Sequence, residues 1–193
     1  MHVVVHQSRR TMNDTTHRLH VLGQSLWLDS ISRDLLRSGT LARCIAELSI
    51  TGATSNPTVF EHAIDGGRHY DASIRVLDAA GMSGEELLFE LAMEDLTQAA
   101  DLLRPVFEAS QGIDGWVSLD VSPLLADNTT HTIQAADRLF KRAARANLLV
   151  KIPGTPEGLR ATEEVVFGGV PVNVTLLFSR EHYLAAAQAY MRA

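Results

Sequence analysis

Five short apolar runs, at 25–29, 50–54, 115–121, 148–152 and 170–177, are each followed by residues at helical spacing, and no hairpin signal separates any two of them. Strands that alternate with helices in this way run parallel. A chain leaving one end of a sheet must return along a crossover, nearly always right-handed, before it can pair again. The pattern predicts an α/β fold, either a doubly wound sheet or part of a β/α barrel. Both architectures meet their ligands at the C-terminal ends of the strands.

Caps and breakers set the helix boundaries. The spacing predicts helices over 13–22, closed by Gly23; over 30–38, with Leu35 and Leu36 inward and Gly39 at the end; and over 41–48. In the last of these Leu41, Ile45 and Leu48 form one stripe, and Cys44 is ordinary packing. Asn56-Pro57 stops the second run and opens a helix over 57–64, closed by Gly66-Gly67. The residue before proline avoids helical angles, whereas proline suits the first helical position. A helix over 69–80 holds Tyr70, Ile74 and Leu77. A capping box of Ser83 and Glu86 then opens a long helix through Leu87, Leu91, Leu96 and Leu103 towards Pro105. The remaining helices are expected over 129–146, from Thr155-Pro156 to Phe167, and from Ser179 to the final residue.

Composition narrows the class of partner. A chain of 193 residues with net charge −6 suits one domain with a substantial core. Its lysines and arginines form no basic stripe, which argues against nucleic acid, and no apolar run approaches a membrane span. The single cysteine, Cys44, forms no internal disulfide and makes the cytoplasm the default compartment. Val3-Val4-Val5 precedes Arg9-Arg10, the wrong order for a signal peptide, so 1–12 is expected to be a loose extension of one unit over 13–193. His17 and His20 share a helix face without further ligands nearby and are read as solvated.

One residue breaks the apolar logic of its strand. In Leu148-Leu149-Val150-Lys151-Ile152-Pro153-Gly154-Thr155, Lys151 shares a face with Leu149 while Val150 and Ile152 point the other way. An amine in such a setting is poorly solvated, which favours its neutral, nucleophilic form and hence Schiff-base chemistry with a carbonyl. The alternative is a strand-end lysine whose head reaches water. Asp29, Asn56, Asp120 and Thr175 lie at or near the ends of the other four strands. In the first, third and fifth strands, as around Lys151, the polar residue opposes an apolar face suited to helix packing. This recurrence points to a ring of polar groups around the amine.

The motifs Gln24-Ser25-Leu26-Trp27-Leu28-Asp29, Thr54-Ser55-Asn56-Pro57, Val117-Ser118-Leu119, Leu149-Val150-Lys151-Ile152-Pro153-Gly154-Thr155 and Val172-Asn173-Val174-Thr175-Leu176-Leu177-Phe178-Ser179 together resemble transaldolase. The resemblance covers nearly everything after residue 20. It implies an eight-stranded β/α (TIM) barrel that moves a dihydroxyacetone unit from sedoheptulose 7-phosphate to glyceraldehyde 3-phosphate, in the pentose phosphate pathway, with no metal or organic cofactor. By the same resemblance Lys151 forms the imine, Asp29 is general base and acid at the breaking carbon–carbon bond, and Thr175 holds a catalytic water. Asn56 and Asn173 bind hydroxyls of the three-carbon unit.

Two departures qualify that expectation. The position occupied by Asp120 is normally glutamate in the family and works with the catalytic water. A carboxylate drawn back by one methylene is out of place by about 1 Å, which can cost on the order of a hundredfold in rate. The sequence also stops in the helix after the fifth strand, whereas such a barrel usually takes about 250 residues. The expectation is therefore an incomplete barrel of about five of the eight strand–helix units, without the family's later phosphate-binding serine and arginine. Its open sheet edges favour self-association. The competing readings are another lysine-dependent aldolase and a non-catalytic fragment that needs a partner.

Overall fold

The computed structural model describes residues 14–66 and 68–193, with the backbone alone for Asp14, Pro57 and Val59. The extension expected at 1–12, Asn13 as a helix start and Gly67 as a helix stop lie outside the described residues. The elements are α1 (Asp14–Val21), β1 (Leu26–Leu28), α2 (Arg33–Arg37), α3 (Thr40–Leu48), β2 (Ile50–Thr54), α4 (Pro57–Asp65), α5 (Asp71–Ala79) and α6 (Gly84–Ala109). They continue with β3 (Trp116–Asp120), α7 (Thr129–Ala143), β4 (Leu148–Pro153), α8 (Pro156–Phe167), β5 (Val172–Thr175) and α9 (Arg180–Arg192).

The order of the strands decides between the two predicted architectures. All four pairings are parallel and the order in the sheet is the order in the sequence, β1-β2-β3-β4-β5. In a doubly wound sheet the strand order reverses at a switch point and helices cover both faces. Sequential order with right-handed crossovers keeps stepping the same way and puts the helices on one side, which curls the sheet into an incomplete barrel.

The two sides of the sheet separate by residue parity. On the helix side Ala53, Val117, Leu119 and Leu148 pack with Leu41, Leu96, Ala99, Ala100 and Leu103 of α3 and α6. Val150 and Ile152 pack with Ala135, Ala136 and Val165 of α7 and α8. Each fully buried leucine or isoleucine contributes about 1.5–3 kcal/mol, so this layer dominates stability. The opposite, concave side carries Trp27, Gly52, Ser118, Lys151 and Asn173, on the alternate positions of the same strands. Gly52 pairs with Trp27, and a Cβ there would overlap the indole, so the bulky ring is accommodated only because its neighbour has no side chain.

The proline caps form as expected. The Asn56 side chain accepts from the Thr58 N–H, and the Thr155 hydroxyl accepts from the Gly158 N–H at 3.0 Å. A Cβ on Gly158 would overlap the Pro153 carbonyl oxygen, so the first turn of α8 sits directly on the end of β4.

Several local expectations differ from the structure. Ser83 is extended before α6 but makes no side-chain cap, so the capping box does not form; Glu85 and Glu86 remain in the first turn, where they favour the helix dipole. Pro105 does not end α6. The helix continues to Ala109 because Val106 still packs against the core beneath it. α7 stops at Ala143 rather than 146 because Ala144 turns left-handed and Asn147 is drawn inward, donating to the carbonyls of Ala100 and Gly115. β5 ends at Thr175 because Leu176 is left-handed, with φ 63°. The first helix buries little, with Leu19 of α1 41% exposed and Leu22, just beyond its end, 80% exposed.

Candidate active site

Lys151 lies inside β4, in register with Asp120 at the end of β3 and with Asn173 in β5. Same-register residues on parallel strands point to the same side, so three polar side chains stand in a row across the concave face. Thr175 is two positions beyond Asn173, on the same side and in register with Pro153. Its backbone carbonyl accepts from the Gly154 N–H at 2.8 Å, which ties the loop after β4 to the end of β5.

The amine is held rather than free in solvent. Lys151 Nζ donates to Asp120 Oδ2 at 3.4 Å and to the Ser55 carbonyl oxygen at 3.3 Å. The two charged side chains are only 15% and 19% exposed. Ser55 completes the arrangement. Its hydroxyl donates to Asp120 Oδ2 at 3.2 Å and accepts from the Asp120 N–H at 3.4 Å. Burial pushes the Asp120 carboxyl above the ordinary aspartate range, while attraction to Lys151 and the bonds from Lys151 and Ser55 pull it back. The Asp120 carboxyl lies within reach of both the amine and the Ser55 hydroxyl, an arrangement that suits proton exchange with a neighbour. The expected apolar setting of the amine is half right: Val150 and Ile152 are fully buried behind it, but its own side is polar.

The carboxylate at 120, although one methylene shorter than the expected glutamate, reaches the amine directly. Below this pair, Asn173 Nδ2 donates to the Ser118 hydroxyl at 3.4 Å, and that hydroxyl donates to Thr54 Oγ1 at 2.7 Å. This chain of bonds joins β5, β3 and β2 across the concave face. Asn56 follows β2, with its carbonyl engaged in capping α4. Asp29 is exposed at the bend after β1 and is not hydrogen-bonded to Lys151 among the described residues. The fold therefore brings Lys151, Asp120, Asn173 and Thr175 to one side, and sets Asp29 and Asn56 at the same ends of their strands without closing the ring.

Ser55 is the residue that sequence reasoning missed. It lies between the last strand position, Thr54, and the cap, Asn56, where a serine is unremarkable; only the approach of β3 and β4 gives it two partners. A cavity of about 250 Å³ opens nearby, lined by Ser55, Phe60, Leu88, Phe89, Leu119 and Asp120. It lies on the helix side, against the outward-facing Leu119, and Lys151 does not line it. The row of Asp120, Lys151 and Asn173 lies on the concave face instead. Among the described residues no cluster of three or more histidine, cysteine or acidic side chains could hold a metal ion. None of the described helices is long and apolar enough to cross a membrane.

Comparison with known proteins points the same way. Residues 26–193 match the family described as transaldolase/fructose-6-phosphate aldolase. Transaldolase 2 of Nostoc punctiforme is 45% identical over 180 residues, 92% of this chain and 47% of that protein. The transaldolase of Thiobacillus denitrificans is 48% identical over 171 residues, 89% of this chain and 48% of its own length. That of Thermobifida fusca is 45% identical over 180 residues, 93% and 49% of the two chains. The chain thus spans about half the length of the curated relatives it matches.

Proposed function

Because this chain belongs to the transaldolase/fructose-6-phosphate aldolase family, we propose that it carries the Schiff-base half of a transaldolase site, with Lys151 as the nucleophile and sugar phosphates as substrates. The observation that carries the reading is the Lys151 amine, lodged on the concave face against Asp120 and the Ser55 carbonyl. In this reading the Lys151 nitrogen adds to the C2 carbonyl of a ketose phosphate such as sedoheptulose 7-phosphate. Water leaves as the imine forms, and Asp120 exchanges the protons that this dehydration requires. The C3–C4 bond then breaks with its electron pair drawn into the imine, while Asp29 accepts the proton of the C4 hydroxyl, C4 becomes an aldehyde carbon, and that fragment leaves as an aldose phosphate. The resulting three-carbon enamine adds to the aldehyde of glyceraldehyde 3-phosphate, Asp29 returns the proton, and water releases the product.

Thr175 holds the water used in imine formation and hydrolysis, and Asn56 and Asn173 bind hydroxyls of the retained unit. A cytoplasmic setting fits the free thiol of Cys44.

Borohydride reduction with fructose 6-phosphate tests this directly, because the chain contains only two lysines and the other, Lys141, is exposed and paired with Asp137. The expected result is an adduct on Lys151 that Lys151→Met abolishes. An adduct confined to Lys141, or none at all, would refute the reading. Product analysis with and without an acceptor aldose phosphate separates a transferase from an aldolase that cleaves without transfer.

A second reading, that the chain works only after self-association, is favoured by the β5 side of the molecule. Among the described residues β5 pairs only with β4, and Leu176, Phe178, Tyr183, Tyr190 and Met191 beside it are each more than half exposed. Light scattering on the purified chain would show oligomers that Phe178→Asp disperses; a monomer across concentrations ends this reading.

A further inference from the structure

A buried charged cluster lies behind the loop that carries Asp29, and neither the imine chemistry nor the sheet requires it. Arg33, in the first turn of α2, is 3% exposed; Asp95, in the middle of α6, is 0% exposed. Arg33 Nε donates to Asp95 Oδ1 at 2.8 Å, its Nη1 to the Ser73 hydroxyl at 2.7 Å and its Nη2 to Glu94 Oε2 at 2.6 Å. The guanidinium also stands 4.6 Å from the centre of the Tyr70 ring. Tyr70 bridges the cluster through its hydroxyl, which donates to Asp95 Oδ2 at 2.7 Å and accepts the Arg33 backbone N–H at 2.9 Å. α2, the residue before α5, and α6 are thereby joined at one point.

A buried ion cluster is weak evidence for stability, because apolar side chains of similar volume often stabilise as well or better. What this one determines is where a backbone lies. Asp29 is exposed, and among the described residues no side-chain hydrogen bond of its own holds it, so its position follows from the path of residues 29–33. That path has two anchors, Ile31 in the core at 4% exposure and the Arg33 backbone N–H on the Tyr70 hydroxyl. We propose that Arg33, Asp95 and Tyr70 are positioning residues that fix the β1–α2 loop and so aim Asp29 at the bond to be broken. This rests on Asp29 being the base of the proposed reaction. Burial pushes the Tyr70 hydroxyl pKa up, which keeps the proton that it donates to Asp95.

Tyr70→Phe deletes the bridging hydroxyl and leaves the ring in place. Arg33→Met combined with Asp95→Leu fills the same space without charge. In the full chain, hydrogen exchange of the backbone amides at 29–33 is expected to quicken at least tenfold in both variants, while exchange in β3 and β4 is unchanged. With fructose 6-phosphate, borohydride trapping on Lys151 is expected to stay within twofold of the parent, whereas release of glyceraldehyde 3-phosphate falls at least tenfold. In an Asp29→Asn background, Tyr70→Phe should add nothing further. Unchanged exchange at 29–33, or an equal loss of trapping and release, overturns the proposal. If the parent itself gives no adduct on Lys151, the functional reading fails, and the exchange measurement still decides whether the cluster holds the loop.

Discussion

Replacing Lys151 with methionine removes one charge from a pair 3.4 Å apart and leaves the Asp120 carboxylate with Ser55 as its remaining side-chain donor among the described residues. At an effective dielectric of about 20 the gross attraction over this distance is about 5 kcal/mol. Desolvation cancels much of it. Removing one partner of a fully buried pair costs about 3–5 kcal/mol and of an exposed pair less than about 1. With side chains 15% and 19% exposed, this pair falls between, so Lys151→Met should destabilise the chain by about 2 kcal/mol at pH 8.

The pH dependence is the sharper test. Asp120 already titrates above the usual aspartate range because it is buried, and Lys151 is the main force holding it down. Without Lys151 the carboxyl rises further. A raised carboxyl pKa contributes stability that is full below the unfolded value of about 3.9 and is lost as pH rises through the folded value. The variant's deficit is therefore greatest at pH 8 and shrinks towards pH 5. In urea, with a slope of about 2 kcal/mol/M, the midpoint should fall by about 1 M at pH 8 and by clearly less at pH 5. Adding Asp120→Asn should remove the pH dependence of the difference. A deficit equal at both pH values, or growing on acidification, would refute the assignment of Asp120 as a buried carboxylate held by this amine.

Three other substitutions probe the same architecture. Ser55→Ala removes the hydroxyl shared with Asp120 and should cost about 1–2 kcal/mol at pH 8, less at pH 5, read from urea midpoints. Gly158→Ala drives a methyl into the Pro153 carbonyl and should cost about 3 kcal/mol, with a thermal midpoint lower by roughly 6–12 °C. Gly52→Ala collides with the indole of Trp27 and should cost about 1–3 kcal/mol; combining it with Trp27→Ala should make the two effects clearly non-additive in urea unfolding.

Much of the site could be read along the chain because parallel strands announce themselves locally. Asp29, Asn56, Asp120, Lys151 and Thr175 each close or interrupt an apolar run, and alternation by itself sends Lys151 and Val150 to opposite sides. The proline caps after β2 and β4 were likewise legible, since Asn56-Pro57 and Thr155-Pro156 act within one turn of backbone. The capping box at Ser83 failed for the converse reason. Its chemistry was present, but the local backbone did not bring the hydroxyl to an N–H.

Sequence by itself determined which segments are strands, which way Lys151 points, and that polar residues would stand at or near the strand ends, because these depend on periodicity and on neighbours a few residues away. Tertiary structure alone decided that the sheet is wound in one direction, that Ser55 touches both Asp120 and Lys151, and that Arg33, Tyr70 and Asp95 meet behind the Asp29 loop. Those partners are 25 to 96 positions apart. No local pattern encodes such a meeting; it arises only when helix packing folds the crossovers against the sheet, where a serine, a tyrosine or an arginine acquires a role that its neighbours in sequence do not suggest.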